Sequence, residues 1–190
     1  MIMAMVNTMG TTMIASRTYL MLVANFVMTF SIALGQATAI QVGQLVGAKE
    51  QDEAYRRCFN SLKLSIVLAI VVTSGVVLCK HPIMGVFTDN VEILDASLKV
   101  FPLMILLEVG RVFNIVIINS LHAAGDIKFP MFMGIIFIFI VAVPFSYIFG
   151  LKLGWGLVGI WIANAADEWC RGIAMLIRWK SKKWQSKSFV

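Results

Sequence analysis

The chain has 190 residues, 59% of them hydrophobic and only 14% charged, with a formal net charge of +6 and a mean hydropathy of +0.87. A soluble domain carries about 25% charged residues, so this composition excludes an ordinary water-facing globule. The basic residues sit in loops and tail rather than along an aromatic-interleaved groove, which excludes nucleic acid as a partner.

In chain order, residues 1–14 are apolar and Met-rich, ending in Gly10-Thr11-Thr12, and read as the end of a helix followed by a loop. They lack a basic n-region and a small-residue cleavage site, so they do not read as a signal peptide. Five membrane-spanning helices are predicted over 15–45, 59–79, 97–123, 129–150 and 154–178. Two uncharged runs, Thr18–Ala48 and Phe129–Leu151, exceed the ~20 apolar residues that cross a bilayer as a helix. Between the second and third spans, Lys80–Asp95 is expected to be a polar loop, and residues 179–190 a basic cytoplasmic tail. The fold class is therefore an all-α polytopic membrane protein whose partner is the lipid bilayer.

Basic residues orient the spans. If residues 44–63 face the cytoplasm, that side holds Lys49, Arg56, Arg57, Lys63, Lys128, Arg178, Lys180, Lys182, Lys183 and Lys187, while the other holds Arg17, Lys80, Lys99 and Lys152. This predicts a multi-pass protein of the plasma membrane with a cytoplasmic C-terminus. Trp155, Trp161, Trp179 and Trp184, near the ends of the last span, are expected as interfacial anchors.

Away from the span ends, five charged residues fall inside predicted spans, where a central charge costs about 2.5–3.5 kcal/mol on insertion scales. Glu108, Arg111, Asn119 and His122 share one stripe of the third span, with Asn114 beside it. On the last span Asp167, Glu168 and Arg171 lie close enough in register for Arg171 to pair with either acid. These groups fit two readings: structural ion pairs that fix packing, or a polar surface used in transport. The candidates for binding substrate or cation are Glu108, Asn114, Asn119, Asp167 and Glu168, with Arg111 and Arg171 as structural ion-pair candidates. On the first span Asn25 and Gln36 share a face with Ala39, Gly43 and Gly47, which can pack a helix closely or line a wet cavity.

Enzyme chemistry finds no constellation: there is no GxSxG, HExxH or P-loop, and only two histidines. Cys58, Cys79 and Cys170 show neither metal-ligand spacing nor a disulfide framework. No cofactor is expected.

Several motifs then resemble the multidrug-and-toxin-extrusion (MATE) family. Val42-Gly43-Gln44-Leu45-Val46-Gly47-Ala48 resembles its VGQ-x-x-GA signature, followed by Ala54-Tyr55-Arg56. Phe87-Thr88-Asp89-Asn90 resembles its FT-D loop, and Leu121-His122-Ala123-Ala124-Gly125-Asp126 with Pro130 its LRAAGD…P motif, His122 standing where Arg is usual. Gly159-Ile160-Trp161, Asp167-Glu168-Trp169-x-Arg171-Gly172 and Glu108-x-Gly110-Arg111-x-x-Asn114 are also similar to stretches of the family.

The resemblance implies that the spans are helices 8 to 12 of a twelve-helix transporter, most of its C-terminal six-helix lobe, with residues 1–14 ending helix 7. It implies secondary efflux of small organic cations or drugs by antiport against Na⁺ or H⁺, and a missing N-terminal lobe as partner. The alternative is a small stand-alone oligomeric channel or assembly protein.

Overall fold

The computed structural model describes residues 2–187; Met1 and residues 188–190 of the basic tail lie outside the described residues. The elements are α1 (Ile2–Asn7), α2 (Thr11–Gly47), α3 (Gln51–Leu78), α4 (Lys80–Phe87), α5 (Val91–Leu98), α6 (Phe101–Ala123), α7 (Lys128–Lys152) and α8 (Gly156–Lys180), then a 3-10 turn, Lys183–Lys187. All five expected spans are present as helices. Four of them, α2, α3, α6 and α7, are long and apolar enough to cross a membrane. The fifth, α8, has 25 residues but carries Asp167, Glu168 and Arg171 near its middle.

α2 begins at Thr11 rather than 15, so residues 11–14 are helix and not the expected loop, and two larger differences have physical reasons. α3 begins at Gln51 rather than 59, because Ala54, Cys58 and Leu62 recur at helical spacing and bury one face of an otherwise polar segment. The expected polar loop after α3 is instead the two short helices α4 and α5. Asn90 caps α5, its side-chain oxygen accepting from the amides of Glu92 (2.9 Å) and Ile93 (3.3 Å), a local bond that supports a short helix in a polar stretch.

α7 widens into π-helix over Ile138–Ala142 and Ser146–Lys152, on either side of Pro144. Proline has no amide hydrogen and its ring crowds the preceding turn, so the ladder must slip around it.

α6 is the central helix, packed against α2, α3 and α8. The apolar core falls into two clusters. One joins Val42, Cys58, Val116, Leu121, Met175 and Trp179; the other joins Leu20, Ala24, Met104, Leu107, Ile160 and Trp161. On α6 the clusters meet between Leu107 and Val112, and on α8 between Ala165 and Met175. The charged residues occupy that waist.

The tryptophans correct an expectation. Trp155 is half exposed, but Trp161, Trp179 and Trp184 are buried. Trp184 stacks on Trp179 with ring centroids 4.4 Å apart, and its Nε1 donates to the Trp179 carbonyl at 3.1 Å. Trp179 in turn stacks on Tyr55 of α3. These rings find apolar partners within the protein, so they act as core rather than as lipid-interface anchors.

Candidate functional site

Because α6 is enclosed by neighbouring helices, the polar groups near its middle face protein. Glu108 is 0% and Asn114 4% exposed, as the cost of a charge in hydrocarbon requires.

Glu108 and Arg111, one turn apart, form an ion pair with Arg111 Nη1 2.5 Å from Glu108 Oε1. The same guanidinium reaches across to α8, with Nε 3.6 Å from Glu168 Oε1. Asn114 Nδ2 donates to Glu168 Oε2 at 2.8 Å. Four of the expected site residues thus form one bridge between α6 and α8, with two carboxylates around one guanidinium. Of the two acids open to Arg171, the structure pairs it with Asp167, on the same helix.

The bridge depends on register. Trp169 Nε1 donates to the Leu106 carbonyl at 3.0 Å, and its indole lies where a β-carbon on Gly110 would come within 2.7 Å. The reciprocal contact sets Phe113 against Gly172, with the Phe113 and Trp169 rings 5.8 Å apart. Two aromatic knobs in two glycine holes fix how α6 and α8 slide past each other. Neither Trp169 nor Gly110 figures among the expected site residues. Their signal was the pairing of one glycine per helix with one aromatic on its neighbour, a relation between segments that single-helix periodicity does not reveal.

Other expected residues lie elsewhere. Asn119 donates its Nδ2 to the Ile115 carbonyl at 2.9 Å and packs beside Gly35 of α2. Asn25 and Gln36 are exposed on α2, and His122 is exposed near the end of α6. A second interhelical pair, missed by the sequence reading, joins Arg178 of α8 to Asp126 in the α6–α7 turn at 2.6 Å, with Arg178 lying 4.9 Å over the Phe129 ring.

The waist is electrostatically incomplete. Glu108 Oε2, Asn114 Oδ1 and Asp167 Oδ1 are buried acceptors with no donor among the described residues, and Arg171 Nε is a buried donor without an acceptor. Each unsatisfied group costs about 1–3 kcal/mol, more when charged. With Glu108, Asp167 and Glu168 against Arg111 and Arg171, the layer is formally one negative charge in excess. Glu108 and Asn114 share contacts with the bridge through Arg111 and Glu168, whereas Asp167 contacts only Arg171; no cluster of three acidic, histidine or cysteine side chains is assembled among the described residues.

The MatE family profile matches residues 1–148. The chain is 39% identical over 179 residues to the transporter YisQ of Bacillus subtilis (strain 168), covering 94% of this chain and 39% of that protein. It is 22% identical over 163 residues to a probable multidrug resistance protein NorM of Mannheimia succiniciproducens, covering 84% of this chain and 35% of that protein. It is also 22% identical over 162 residues to the multidrug resistance protein MdtK of Photorhabdus laumondii, covering 83% and 35%. The chain spans between a third and two fifths of the length of these relatives. The enclosed polar waist, the apolar helices and these similarities converge: the chain belongs to the MatE family of membrane transporters, which are not enzymes.

Proposed function

We propose that the chain forms most of the C-terminal lobe of a two-lobe secondary transporter that exports small organic cations or drugs in exchange for Na⁺ or H⁺. The observation that carries this reading is the buried α6–α8 bridge of Glu108, Arg111, Asn114 and Glu168, in which Glu108 Oε2 and Asn114 Oδ1 accept no donor among the described residues. The multidrug resistance names of the relatives supply the substrate class, and the chain's share of their length supplies the need for a partner lobe.

In this reading Glu108 and Asp167 exchange the coupling cation, with Asn114 and Glu168 completing the polar surface. Arg111 and Arg171 hold the carboxylates apart and limit their repulsion. Asn25, Gln36 and Asn119 border the wetter cleft towards the other lobe. Export follows from competition: a cation bound at the waist favours one arrangement of the lobes and substrate the other, so each displaces the other reciprocally.

The test is drug resistance of cells carrying the intact two-lobe transporter. Glu108→Gln keeps the shape and loses the charge, and is expected to abolish resistance at an unchanged membrane level of protein. Full resistance in that variant would remove Glu108 from the coupling site.

A further inference from the structure

A groove follows the seam between α2 and α3. It begins near their connecting turn as a pocket of about 400 Å³ between Gln44 and Glu53. It continues as one of about 260 Å³ around Gln41, Asn60 and Ser61. It ends as one of about 310 Å³ lined by Phe30, Ala33, Leu68 and Val72. The pockets share walls: Gln41 and Arg57 border the first two, and Leu34 the last two.

The lining changes from polar to apolar along this path, in step with α3. Arg57, Asn60, Ser61 and Lys63 precede a stretch, Leu64–Leu78, that carries no charge. Arg57 Nε donates to Gln41 Oε1 at 2.7 Å, which holds the guanidinium across the seam. Its Nη groups meet no protein acceptor among the described residues.

We infer that this seam binds one anionic phospholipid, with its phosphate at Arg57, Asn60 and Ser61 and an acyl chain between Ala33 and Leu68. Three observations carry the assignment. The polar-to-apolar order is that of an amphiphile. The rise from Arg57 to Leu68 on α3 is about 16 Å at 1.5 Å per residue, close to one leaflet's half of the ~30 Å hydrocarbon core. The pocket around Ala33, Leu68 and Val72 offers an apolar lining throughout, as an acyl chain requires. Charge then selects the headgroup: Arg57 lines the site, Arg56 and Lys63 are exposed close by on α3, and Glu53 reaches only the outermost pocket. The site shares no residue with the α6–α8 waist, nor with Asn25, Gln36 or Asn119.

Native mass spectrometry of the purified chain, titrated with dioleoyl phosphatidylglycerol or dioleoyl phosphatidylcholine, tests the assignment. The first phosphatidylglycerol is expected to bind about fivefold more tightly than phosphatidylcholine, the contribution of one basic residue at an anionic surface. Arg57→Gln should remove that preference while leaving phosphatidylcholine retention unchanged. Ala33→Phe, which fills the apolar end without altering charge, should weaken retention of both lipids. Circular dichroism confirms that each variant keeps its helix content. An unchanged phosphatidylglycerol preference in Arg57→Gln, or unchanged retention in Ala33→Phe, would overturn the site. So would displacement of the lipid by millimolar inorganic phosphate, or variants that alter a monomer–dimer ratio and not lipid count.

Discussion

Gly110 has no side chain because Trp169 occupies the space that a β-carbon would need, and this single vacancy sets where Glu168 meets Asn114 and Arg111. Gly110→Ala is expected to destabilise the protein by about 1–3 kcal/mol, the usual cost of overpacking, seen as a lower melting temperature in detergent. Trp169→Phe keeps the ring but loses the bond to the Leu106 carbonyl, and should cost about 1 kcal/mol in the same assay. The pair between Asp126 and Arg178 makes a second test. Arg178→Gln leaves Asp126, 4% exposed, without its cation, at a cost of about 3–5 kcal/mol. The double variant Asp126→Asn/Arg178→Gln should recover part of that loss, because the stranded charge is gone. A strictly additive double variant would mean that the two side chains are not coupled.

At the scale of elements, the end of α8 and the following turn form a clasp on α3. Trp184 is buried against Trp179, Lys182 pairs with Asp52 at 2.7 Å, and Lys182 also lies 5.3 Å over the Tyr55 ring. Trp184→Ala should cost about 3–5 kcal/mol, as for a large core side chain, and should expose Lys180–Lys187 to trypsin well before the rest of the chain; equal trypsin resistance would show that the turn needs no such anchor. The clasp was not legible in the sequence, where residues 179–190, with four lysines, read as a basic cytoplasmic tail. α4 and α5 were missed for a related reason: eight-residue helices bury too little surface to set a period. The five long helices were legible, because runs such as Thr18–Ala48 and Phe129–Leu151 admit no other state in a bilayer. The candidate site was half legible. Expensive intramembrane charges identified Glu108, Arg111, Asp167, Glu168 and Arg171, and helical spacing allowed the pairs within each helix. The α6–α8 bridge through Asn114 and Glu168 required the relative rotation of two helices, which interlocking side chains decide.

For the whole molecule, a polar waist divides two apolar clusters, and basic residues gather at the end of the bundle that holds the α2–α3 turn and the C-terminal turn. On the proposed orientation, in a background where Cys58, Cys79 and Cys170 are replaced by serine, Lys187→Cys reacts with a membrane-impermeant maleimide only after the membrane is opened, whereas Asp89→Cys reacts in intact cells; the reverse pattern would invert the topology. The central claim is that the waist of this lobe couples a cation to export. It is tested most directly in proteoliposomes containing the intact two-lobe transporter, by following uptake of a fluorescent organic cation while a Na⁺ or H⁺ gradient is imposed. The account predicts gradient-driven uptake by the native protein, and loss of the gradient's effect in both Glu108→Gln and Asp167→Asn with dye binding retained. Undiminished gradient-driven uptake in both variants would contradict it.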